Sequence, residues 1–176
     1  MEGWKFWWGI AAFFLGGLST QMNGWLTYRR QRADKAEEAK DALRQRREEF
    51  ELQHLVELNQ LVRVAIDQLF AYSTAEHWSR AARQTDSLDV ERRQQSEETG
   101  ATFMVTLADL TSQVPFILAD DVRQAAGDLI GYMAEASALL IGGVPLNGVA
   151  LSAVADRLYK PLGERVRAIY AGQAAA

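Results

Sequence analysis

The sequence predicts an all-α protein: an N-terminal transmembrane helix continuing into a long stalk helix, then an antiparallel bundle of about four helices. Three observations carry this expectation. Neither proline nor glycine occurs between Trp25 and Thr99, so a long stretch is free of helix breakers. Beyond the stalk, apolar residues recur at three- and four-residue spacing in blocks separated by turn signals. No stretch alternates with period two for long enough to make a strand.

Residues 1–3 read as a short external N-terminus, and residues 4–28 as the membrane anchor. Phe6–Leu18, FWWGIAAFFLGGL, is thirteen residues without a polar side chain. That is ~20 Å of helix against a hydrocarbon core of ~30 Å. Extension through Ser19, Thr20, Gln21, Met22, Asn23 and Gly24 to Leu26 supplies the rest. Trp4, Trp7 and Trp8 at one end, with Trp25 and Tyr28 at the other, stand where amphipathic rings settle at headgroup level. Gly17-Leu18-Ser19 would pass as a leader cleavage site, but the arginines at 29, 30 and 32 resemble the cytosolic flank of an anchor. The positive-inside bias then orients the chain. Arg29, Arg30, Arg32 and Lys35 follow the anchor, whereas Lys5 on the other side is offset by Glu2. The N-terminus is expected outside and the C-terminal domain in the cytosol, at the cytoplasmic membrane. The same four basic side chains are the expected contacts with anionic lipid headgroups. Ala12, Gly16, Thr20 and Gly24 recur every four residues, a small-residue stripe along which a second helix can pack.

Residues 29–50 read as a polar, basic stalk. Its apolar positions are Ala36, Ala39, Leu43 and Phe50, and Asp41–Arg44, Arg44–Glu48 and Arg47–Glu51 are spaced to pair along it. Residues 51–173 read as the bundle, with a frayed tail over 174–176. Leu55, Leu58, Val62, Ala65, Leu69 and Tyr72 follow heptad spacing, and Leu61, Ile66 and Phe70 widen the stripe beyond that of a two-stranded coiled coil. Asp86-Ser87 is expected to end this helix and cap the next, which carries Phe103, Leu107, Leu110 and Val114, is weakened at Gly100 and stops near Pro115. Asp120 is expected to cap a third helix with Val122, Ala126, Leu129, Ile130, Met133 and Leu140 inward. Gly142–Gly148, GGVPLNG, breaks it. A final helix from about Val149 carries Leu151, Val154, Leu158, Leu162, Val166 and Ile169, with Pro161 expected to kink it.

Charge is unevenly placed. Arg29–Arg47 has eight basic and four acidic residues, a net +4, whereas Glu48 onward has ten basic and eighteen acidic, a net −8. An acidic body disfavours nucleic acid as a partner, and the membrane surface accounts for the basic patch. The chain has no cysteine, which removes disulfides and thiolate chemistry. Glu51-Leu-Gln-His54 supplies one Glu-x-x-His motif, but a di-iron bundle needs two, and Thr74 stands where the glutamate before His77 should be. Two histidines without cysteine fall short of a structural zinc site. Phosphate-cradling glycine loops are absent, Asp120-Asp121 and Glu97-Glu98 point to different helix faces, and Trp78 reads as a core or bundle-edge aromatic. No catalytic, metal or cofactor-binding residue is therefore expected.

The Arg-rich boundary Tyr28-Arg29-Arg30-Gln31-Arg32, followed by RREEFELQHLVELNQLV over 46–62, resembles a loose group of small bacterial single-pass membrane proteins. These share an anchor, a polar stalk and a short helical domain. The resemblance covers residues 4 to about 65, implies a bacterial cytoplasmic membrane, and carries no catalytic residues over. The function expected is that of a non-enzymatic scaffold that tethers or clusters a protein partner at the membrane, as a homo-oligomer. Self-association is expected through the anchor stripe or, failing that, through the wide Leu55–Tyr72 face. The alternative is a membrane-active or pore-forming effector, a phage lysis or defence component, with Thr20, Gln21 and Asn23 lining an oligomer of anchors.

Overall fold

The computed structural model describes residues 3–84 and 90–172, with side chains described at Arg32, Asp34, Lys35, 37–82 and 90–172. Four α-helices account for most of them: α1 (Gly3–Gln84), α2 (Val90–Gln113), α3 (Asp120–Gly142) and α4 (Gly148–Tyr170). A single 3-10 turn, Val114–Phe116, links α2 to α3 and carries Pro115. No strand occurs among the described residues. The chain divides into two compact units, Met1–Arg47 and Glu48–Ala176.

In the first unit, every described side chain is exposed, including Arg32, Lys35 and Leu43. Among the described residues no helix is long and apolar enough to cross a membrane. The physical reason lies in the sequence: the thirteen apolar residues of Phe6–Leu18 give way to Ser19, Thr20 and Gln21.

The second unit is an antiparallel four-helix bundle. Along α1, Leu55, Leu58, Val62, Ala65 and Leu69 are fully buried, and Tyr72 nearly so. The heptad positions of this face are thus spent on the bundle's own core, whereas Phe70 of the same stripe is exposed. Phe103 and Leu110 of α2, Val122, Leu129 and Met133 of α3, and Leu151 and Leu158 of α4 close the same core. Each large apolar side chain so buried stabilises the fold by ~1.5–3 kcal/mol relative to exposure. Long-range pairs fix the directions. Tyr72 lies against Gly100, Ser96 donates to Glu76, and His54 meets Gln113, so α2 descends as α1 rises. Arg80 reaches Leu140 and Ile141, so α3 rises beside α1. Phe70 lies beside Gly148 and Glu51 beside Arg165, so α4 descends again.

Several local expectations change. Asp120 is the first residue of α3 rather than its cap. Ala119 takes the cap position without a side-chain bond, because Asp120 pairs with Arg123 one turn on. The cap of α4 is Asn147, whose Oδ1 accepts from Ala150 N–H at 3.1 Å. Pro161 lies inside α4, where the sequence places it. Glu51 turns into the bundle and pairs with Arg165. Asp86 and Ser87 lie outside the described residues. Gly100 is more than a weak spot: a Cβ there would stand 3.0 Å from Tyr72 Cε2, so the missing side chain lets α2 accept the ring.

Candidate functional site

The expected anchor aromatics Trp4, Trp7, Trp8, Trp25 and Tyr28, the stripe Ala12, Gly16, Thr20 and Gly24, and Arg29 and Arg30 all carry side chains outside the described residues. Arg32 and Lys35 are exposed.

The most elaborate polar arrangement lies at the end of the bundle where α1 meets the α3–α4 turn. Glu76 and Arg80 sit one helical turn apart and pair, Arg80 Nε donating to Glu76 Oε1 at 2.9 Å. Arg80 Nη2 also donates to the carbonyls of Leu140 at 2.5 Å and Ile141 at 2.6 Å. The last carbonyls of any α-helix lack intrahelical donors and carry the negative end of its dipole, so a guanidinium is the favoured neighbour. The turn completes the cap. Gly143 adopts φ +96°, and Val144 N–H reaches back to Leu139 O at 3.0 Å, the left-handed closure that glycine permits. On the far side, Ser96 of α2 donates to Glu76 Oε2 at 2.6 Å. One carboxylate and one guanidinium therefore tie α1, α2 and α3 together. Burial raises the pKa of neighbouring Tyr72; Glu76 adds to this and Arg80 opposes it.

This clamp is one wall of a hollow of about 430 Å³, whose other walls are Thr74, His77, Trp78, Val144, Pro145 and Leu146. Trp78 is 53 % exposed and so belongs to the rim, not the core. His77 meets it edge-on at 5.7 Å, and the Arg92 guanidinium stands 5.8 Å from its ring centre, within cation–π range. Ile141 (71 %) and Val149 (83 %) are also strongly exposed at this end. Thr74 is bound to the Phe70 carbonyl within its own helix, and among the described residues His77 makes no hydrogen bond to a hydroxyl or a carboxylate. The hollow is thus chemically an apolar and aromatic recess backed by a guanidinium already engaged with Glu76, Leu140 and Ile141.

The opposite end holds the second polar cluster. Glu51 is 1 % exposed and takes a two-pronged bond from Arg165, 2.7 Å from Nε and 2.8 Å from Nη2. That bond raises the Arg165 pKa against the opposing effect of burial. His54 lies between Phe50 and Phe116, with ring centres 4.3 and 5.1 Å away, and its Nδ1 stands 3.2 Å from Gln113 Oε1 and 3.3 Å from Glu57 Oε2. Among the described residues no group of three or more potential metal ligands comes together.

Sequence spacing left Glu76, Arg80 and Ser96 unmarked. The four-residue step from Glu76 to Arg80 is the one local signal, and it reads equally well as an ordinary surface pair. No family model matches the chain, no curated protein matches it, and no solved structure matches it.

Proposed function

We propose that the protein is a membrane-anchored, non-enzymatic interaction module that holds a protein partner against the Trp78 end of its bundle. One observation carries the reading: Trp78 and Val144 are exposed together around a hollow whose wall is braced by Arg80. Clustered exposed apolar side chains mark interaction surfaces, and a half-exposed tryptophan beside an arginine is the composition of interface hot spots.

Anchoring rests on residues 4–28. The apolar run is short, and Thr20, Gln21 and Asn23 fall in its second half. Packing of anchors along Ala12, Gly16, Thr20 and Gly24 would give those polar groups hydrogen-bonding neighbours, so clustering and insertion support each other. The flanking aromatics and the four basic residues after Tyr28 support an orientation with the bundle in the cytosol.

The test has two arms. A reporter active only in the cytosol, fused after Ala176, should be active in a membrane fraction that resists carbonate extraction; recovery in the soluble fraction refutes the anchor. Photo-crosslinking from position 78 in intact cells should give a discrete protein adduct, lost on Val144→Ser. No adduct, or one unchanged by that substitution, refutes the docking surface. Dye leakage on overexpression would instead support the pore-forming alternative.

A further inference from the structure

α1 is held to the other three helices by two polar fastenings set at opposite ends of an apolar middle. At one end Glu51, buried to 1 %, receives Arg165 of α4. At the other, Glu76 and Arg80 engage Ser96 of α2 and the last carbonyls of α3. Between them Leu55, Leu58, Val62, Ala65 and Leu69 repeat at alternating steps of three and four. A stripe of similar apolar side chains on a seven-residue repeat looks much the same after a shift of seven residues, or ~10 Å along the axis. Apolar contacts are non-directional and distinguish such registers poorly. The ring of Tyr72 over Gly100 adds a preference by shape. The polar groups discriminate by chemistry: a displaced Glu51 would leave a buried charge unmatched, and a displaced Arg80 would leave the last carbonyls of α3 without their donor.

We infer that the Glu51–Arg165 and Glu76–Arg80–Ser96 fastenings exist to set the axial register of α1 within the bundle rather than to add stability. Buried ion pairs are commonly no more stabilising than well-packed apolar residues, and fixing register is their best-attested use. Their placement fits that role. Both join α1 to another element, they bracket the degenerate stripe, and the one at the α3 end addresses main-chain carbonyls that cannot move without moving the helix.

The chain has no cysteine, so spin labels can be placed on the full-length protein without removing native thiols. Labels at Val64 on α1 and Met104 on α2, both exposed, report the register as a distance between electron spins. The parent should give one narrow distance. With both fastenings replaced by apolar residues (Glu51→Leu, Arg165→Leu, Glu76→Leu, Arg80→Met), helicity should persist while a second distance population appears, displaced by several ångströms. Exchange of one pair, Glu51→Arg with Arg165→Glu, should return a single distance. A single narrow distance in the apolar variant would overturn the inference. So would loss of its helical signal, because the polar groups would then be supplying stability. A broadened distribution in the exchanged pair would overturn it too.

Discussion

Gly143→Ala is expected to be among the most damaging small substitutions in the bundle, for two reasons that can be separated. The backbone at this position has φ +96°, where an L side chain is strained by ~1–3 kcal/mol. The new Cβ would also fall inside the Arg80 guanidinium at Nη1. Arg80 must then withdraw from the Leu140 and Ile141 carbonyls, and hydrogen bonds to a charged group are worth ~1.5–3 kcal/mol each. Some of that returns through water, so the combined cost should be about 3–5 kcal/mol. Gly142, one residue earlier, is helical with nothing within 4 Å of its Cβ position, and Gly142→Ala should be neutral or stabilising by up to ~1 kcal/mol. Urea unfolding followed by circular dichroism measures both. Repeating Gly143→Ala in an Arg80→Met background isolates the collision, since only the backbone strain then remains. The expected coupling is about 1–3 kcal/mol. Equal costs in the two backgrounds would show that Arg80 does not occupy the space beside the turn, and the clamp would fall with it.

Other consequences follow from the same contacts. Arg165→Met leaves the Glu51 carboxylate buried without its partner and should cost ~3–5 kcal/mol by urea unfolding, whereas Glu51→Leu with Arg165→Met should recover most of that loss. Gly127→Ala, with open space at its Cβ position, should stabilise by ~0.5–1 kcal/mol on helix propensity; Gly100→Ala should not, because its Cβ meets the Tyr72 ring. Tyr72 has a raised pKa in the folded chain. Its contribution is therefore fully present below the ordinary tyrosine value of about 10 and is lost as pH rises through the higher folded value. Melting temperature should fall above about pH 10, and Tyr72→Phe should make that fall shallower.

What the sequence disclosed was local. Heptad spacing from Leu55 to Tyr72 marked the buried face, and the glycine-rich break at 142–148 marked the last turn, because both signals lie within a few residues of their effect. The polar contacts that join helices were hidden by separation. Glu51, the first residue of the expected bundle, looked like a partner for Arg47 or like half of a metal motif, and its actual partner is 114 residues away. Arg80 went unmarked because its acceptors are main-chain carbonyls 60 and 61 residues on, and carbonyls leave no mark in a sequence. Trp78 was ambiguous for a different reason: one aromatic at the edge of a stripe fits core and rim alike, and only its exposure decides.

Trp78 also has an optical consequence. It is the single tryptophan after Trp25, so a chain beginning at Glu48 emits from one indole alone. That indole is half in water, edge-on to His77 and near Arg92. A protein seated in the hollow would remove solvent from it and shift its emission to shorter wavelength. Unlabelled protein can therefore report occupancy of the hollow during a titration.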